Sequence, residues 1–121
     1  MRTPLTKEHL WENLVQLTKR TREIRSLTGQ KRHLIKKLNY NDKSYRIEYA
    51  ETGNQKTVKL DDLFAMYTEL YANGFLNTGY MGKAYKRILP WGGWTAPGSA
   101  MLAILPHLDP QIRADKGTIM V

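Results

Sequence analysis

Tyr45-Arg46-Ile47-Glu48-Tyr49, followed closely by Leu63, Met66, Tyr67, Leu70 and Tyr71, is the stretch on which the fold turns. In the first part apolar and charged residues alternate with a period of two, the rhythm of a half-buried strand. In the second the apolar residues recur at spacings of three and four, the rhythm of a helix. Working outward, His33 to Tyr40 can form a strand, and Asn41-Asp42-Lys43 supplies a turn into the alternating segment. Glu51-Thr52-Gly53-Asn54 supplies another turn, and Thr57 to Leu60 a third strand. Residues 33–60 thus read as a three-stranded antiparallel meander whose Tyr45/Ile47/Tyr49 face needs a helix to cover it. Asp61-Asp62 caps the helix that follows, and Asn73-Gly74 ends it.

Before the meander, Leu10, Leu14, Leu17, Thr21 and Ile24 form one helical stripe. With Thr3 as cap, Pro4 at the first position and Thr28-Gly29 as stop, residues 4–27 read as a long helix. A second line, Trp11, Val15, Thr18 and Arg22, lies beside the first and can meet a partner through Trp11. After the meander, Phe75-Leu76 links to a helix capped by Asn77 or Thr78 and running to about Leu89, which Gly79 and Gly82 weaken. Pro90 to Gly98 reads as irregular. Ser99 to His107 reads as a short buried helix ended or kinked at Leu105-Pro106, and Thr118 to Val121 as a terminal strand. The class is therefore α+β: a long N-terminal helix, a three-stranded antiparallel meander, then a C-terminal helical part of three short helices, in a single domain over residues 1–121.

The chain of 121 residues has no cysteine, which removes disulfides, thiol catalysis and cysteine metal sites and fits a reducing compartment. Residues 1–6 lack the apolar core of a secretory signal, and the longest strongly apolar run, Ala100 to Leu105, is too short to span a bilayer. A cytoplasmic protein without a membrane partner is the expectation.

Charge is the most informative feature. The net charge is +8, and residues 1–37 hold ten basic and three acidic groups of the total of nineteen and eleven. Between Lys19 and Lys37 eight basic residues face Glu23 alone. A solubilising surface normally mixes both signs, whereas clustered cations suit a phosphate backbone, which rewards them by counterion release. Lys19, Arg22, Arg25, Lys31, Arg32, Lys36 and Lys37 are the phosphate candidates on this reading. A solvated helix face and a charged edge strand would carry some of the same residues.

Two further segments could touch nucleic acid. Residues 61–89 have the dimensions of a helix-turn-helix, with Lys83, Lys86 and Arg87 on one face of the second helix; an ordinary helical hairpin would look the same. Trp91-Gly92-Gly93-Trp94 brings two large rings to a glycine loop, suited to stacking bases, to a protein hot spot, or to plugging the last helix.

Catalytic and cofactor motifs fail. Gly82-Lys83 lacks both the earlier glycine and the following Ser or Thr of a phosphate loop, and the three histidines are too scattered for a metal pair. Asp42, Glu48 and Glu51 near Lys43 and Lys56 carry the ingredients of a metal-dependent nuclease, and His33 those of a general acid, without forming a convergent set. The expectation is a non-catalytic nucleic-acid-binding module, DNA preferred over RNA, needing no cofactor or metal. The alternatives are an assembly domain of a larger bacterial or viral defence or mobile-element protein, contacting a partner through Trp11 or the Trp91–Trp94 loop, and a small nuclease.

Overall fold

The structure, a computed structural model, describes residues 3–89 and 95–121. The first helix, α1 (Lys7–Arg20), is capped by Thr6, whose side chain accepts from the His9 N–H, rather than by Thr3. It is shorter than its apolar stripe implies. At Thr21 the chain becomes extended, and the Thr21 hydroxyl bonds locally to the N–H and C=O of Glu23 in place of continuing the helix. Glu23–Arg25 is then strand β1, so Ile24 is buried from a sheet and not from a helix.

Strands β2 (Arg32–Asn39), β3 (Ser44–Tyr49) and β4 (Gln55–Lys59) form the meander. With β1 added they make a four-stranded antiparallel sheet ordered β1-β2-β3-β4. The inner rows across it are Ile24–His33–Tyr49, Ile35–Ile47–Lys56 and Leu38–Tyr45–Val58. Apart from Lys56 at the β4 edge, these residues feed the core.

Helix α2 (Leu60–Asn73) starts directly from β4. Lys59 stands at the cap position without a side-chain bond, and Asp61 and Asp62 lie in the first turn, where the helix dipole favours negative charge. Gly74 closes α2 at φ 90°, a left-handed position, and its N–H bonds the Leu70 carbonyl. Phe75–Asn77 is a strand, β5, rather than a link. It pairs with the terminal strand β7 (Thr118–Met120), which also pairs with β6 (Arg113–Asp115), giving a second antiparallel sheet ordered β5-β7-β6. The two residues between β6 and β7, Lys116 and Gly117, both have positive φ, as a tight hairpin requires. Asn77 caps α3 (Thr78–Ile88) by accepting from the Tyr80 N–H.

Helix α4 (Thr95–Leu108) begins before Ser99 and runs through Pro106. Pro97 is tolerated because the first helical N–H groups have no acceptor within the helix, and Pro106 removes one bond close to the end. Ala100 to Leu105 and Leu108 are all buried, as expected of a helix apolar all round. It touches α1 and α2 as well as the edge strands β1 and β4, so it lies beneath the inner face of the sheet. Beyond it, the Asp109 carboxylate, 1% exposed, accepts from the Tyr67 and Tyr71 hydroxyls at 2.7 Å each and from the Gln111 N–H at 2.9 Å. Tyr67 in turn accepts from the Leu5 N–H, so the node joins the N-terminal segment, α2 and the end of α4. No helix among the described residues is long and apolar enough to cross a membrane.

Candidate nucleic-acid interface

Helix α4 packs on the large sheet at β1 and β4 and α2 at β4; on the other face most residues of the strands are exposed. That outer face is built from the residues alternating with the core. Its rows are Arg25–Arg32, Glu23–Leu34–Glu48–Gln55, Lys37–Arg46–Thr57 and Asn39–Ser44–Lys59.

The third row exists because β2 is irregular. Ile35 points inward opposite Ile47, so simple alternation would place Lys36 outward and Lys37 inward beneath the sheet. The register shifts between Ile35 and Lys37, leaving Lys36 as the extra residue of a bulge and pairing Lys37 with Arg46 on the outer face. Lys36 and Lys37 are therefore both exposed, and Leu38 returns to the inner face. Arg22, the residue just before β1, secures the interruption. Its carbonyl accepts the Ile35 N–H at 2.7 Å, and its guanidinium donates to the Ile35 carbonyl at 3.3 Å.

Lys36, Lys37 and Arg46 have no carboxylate within ion-pair distance among the described residues. Lys37 and Arg46 also line a recess of about 250 Å³ with Asn39, Asp42, Ser44 and Thr57. Asn39 donates to the Asp42 carboxylate at 3.2 Å and accepts from the Asn41 and Asp42 N–H groups, which fixes the hairpin turn at the rim. Arg46, Ser44 and Thr57 are not legible as site residues in the sequence, because they come from strands outside the basic run.

The other expected contacts are more dispersed. Arg25 and Arg32 lie at the opposite end of the face, and Glu23 approaches them at 3.9 and 3.5 Å. Glu51 also reaches Arg32, so the one acid among eight bases in the sequence becomes two carboxylates in space. Arg22 is committed to the bulge. Lys31 is exposed in the loop before β2, and Lys19 is exposed in the last turn of α1. Lys83 and Lys86 are exposed on α3, but Arg87 folds back onto α2, where it grips Glu69 with two bonds of 2.8 and 3.1 Å. That bond holds the Glu69 carboxyl below its ordinary range and raises Arg87, while Tyr80, also bonded to Glu69, is raised. This triad ties α2 to α3. Trp91 and Trp94 lie outside the described residues.

No family model, curated protein or solved structure matches the chain. Trp11 is 7% exposed and meets the Tyr40 ring edge-on, so it is a core residue rather than a free contact. His33, a candidate general acid in the sequence, is 2% exposed against Tyr49, and neither ring nitrogen has a partner among the described residues. Burial lowers its pKa, opposed by Glu51 and assisted by Lys31. Tyr45 and Tyr49 hydroxyls are likewise buried without partners, and burial raises both. Of the nuclease carboxylates, Glu48 accepts from Gln55, Glu51 pairs with Arg32 and Asp42 belongs to the hairpin turn. Among the described residues no three His, Asp or Glu side chains come together as a metal site.

Proposed function

We propose that this chain is a nucleic-acid-binding module that lays a phosphate backbone along the outer face of its four-stranded sheet, with DNA preferred over RNA. The observation that carries the reading is the β2 bulge, which turns two consecutive lysines to the same exposed face and sets Lys37 against Arg46 without an acidic partner among the described residues. Bringing like charges together costs energy unless a polyanion joins them, and a phosphate backbone repays it by releasing counterions.

The chemistry of the face favours a duplex over a single strand. Single strands are held by stacking splayed bases on aromatic rings. The four outer rows contain no aromatic residue. Backbone contacts carry little sequence information, so the reading is of shape and charge, with weak dependence on base sequence. Affinity measured for duplex DNA, single-stranded DNA and duplex RNA at two salt concentrations tests this. Duplex DNA is expected to bind most tightly and to lose affinity steeply with salt; no binding at low salt would overturn the reading.

A further inference from the structure

We infer that the recess between Lys37, Arg46, Ser44 and Thr57 seats one backbone phosphodiester and thereby sets the register of the nucleic acid on the sheet; this rests on the function proposed above. Four donors converge from three strands. Lys37 and Arg46 are directly opposed in the β2–β3 register, and Thr57 follows opposite Arg46 on β4. Ser44 is one position further along the same outer face, is 6% exposed as a residue, and lines the same recess. Its hydroxyl, at the wall of a polar recess, can turn its O–H toward an acceptor seated there.

Size and charge select the ligand. At about 250 Å³ the recess is smaller than the sites of drug-sized molecules, roughly 300–1,000 Å³, and its walls Lys37, Arg46 and Thr57 are exposed to solvent. Lys37 and Arg46 supply two positive charges and Asp42 at the rim removes one. The net charge of one matches the single negative charge of a phosphodiester rather than a terminal phosphate dianion. Lys37 acts as a point charge, Arg46 can fork onto two phosphate oxygens, and Ser44 and Thr57 donate neutral hydrogen bonds.

The hydroxyls and the cations leave different signatures. In fluorescence anisotropy with the full chain and a short DNA duplex, Ser44→Ala and Thr57→Val should each weaken binding about ten-fold, because each removes a bond to a charged acceptor. Neither should change the slope of log affinity against log salt, since a hydroxyl displaces no counterion. Lys37→Gln should reduce that slope by about 0.9. Duplexes with 5′-phosphate and 5′-hydroxyl ends should bind alike. Thr57 lies on the exposed face, so Thr57→Val keeps the test sound if Ser44→Ala melts early. Wild-type affinity in both hydroxyl variants would overturn the recess while leaving the basic face in place. A preference for the 5′-phosphate would overturn the diester assignment, and absence of duplex binding by the unaltered protein would overturn both readings.

Discussion

Deleting one lysine of the Lys36–Lys37 pair tests the feature that organises the outer face. The deletion leaves His33, Leu34, Ile35, a single lysine and Leu38 in unbroken alternation, so the inner rows keep their partners Tyr49, Ile47 and Tyr45. Lys36 is exposed, so no core area is lost. The regular ladder gains about one backbone hydrogen bond, worth roughly 0.5–1.5 kcal/mol, while the Arg22 bond to the Ile35 carbonyl loses its purpose at a similar cost. The net change is expected within about 1 kcal/mol, a shift in melting temperature of no more than about 4 °C. Deleting Leu34 instead puts His33 and Ile35 out of phase, so that one half of β2 must turn over. Exposing Ile35 and Leu38 alone would cost at least about 3 kcal/mol. Thermal melts of the two deletions, with circular dichroism to verify the fold, separate these cases. The lysine deletion should also lower the salt slope of duplex binding by about 0.9, as should Lys36→Gln. Equal destabilisation by both deletions would refute the bulge as the source of the paired lysines.

Two predictions concern buried titratable groups. Burial pushes the Asp109 carboxyl up, but bonds from Tyr67, Tyr71 and Gln111 outweigh it and hold its pKa below the ordinary value. Its contribution to stability is thus complete above the unfolded value of about 3.9 and lost as pH falls through the folded one. Asp109→Asn should cost about 3 kcal/mol at neutral pH and flatten the acid limb of a stability profile; an unchanged limb would count against the node. Burial also lowers His33, so its neutral form is favoured in the fold and stability declines as pH falls below about 6.5. His107 is lowered by burial and then by Arg20, and contributes in the same direction. Denaturant midpoints between neutral pH and mildly acidic pH should therefore drop less in His33→Leu than in the unaltered chain, with His107→Gln as the comparison. An identical drop in His33→Leu would show that His33 does not carry the effect.

The parts of the fold legible in the sequence are those where one periodicity has no rival. Tyr45, Ile47 and Tyr49 alternate with charges and form β3, and Leu63 to Leu70 fit a helix and form α2. Ile24 misled because it fits both a helical stripe ending at Thr21 and a strand; the Thr21 hydroxyl decides it by bonding Glu23 locally. Strand β6 was hidden because Arg113, Ala114 and Asp115 are all exposed and carry no apolar alternation, being held only through β7. The basic cluster was legible as composition but not as geometry. Glu51 is distant from Arg32 in sequence and beside it in space, and Arg46 enters from another strand. The doubled lysine between Ile35 and Leu38 was the available signal, since a strand with a strict period of two cannot keep both apolar residues on one face across it.

The central claim is that three particular cations, rather than the overall positive charge, hold nucleic acid. The direct measurement compares two triple variants of equal charge by duplex DNA binding over a range of salt: Lys36→Gln, Lys37→Gln and Arg46→Gln together, against Lys56→Gln, Arg113→Gln and Lys116→Gln together, all exposed residues outside the proposed contacts. The first should lower the slope of log affinity against log salt by about 2.7, and the second should leave it close to that of the unaltered protein. Equal losses in the two variants would contradict the account, because binding would then follow net charge and not the surface built by the β2 bulge.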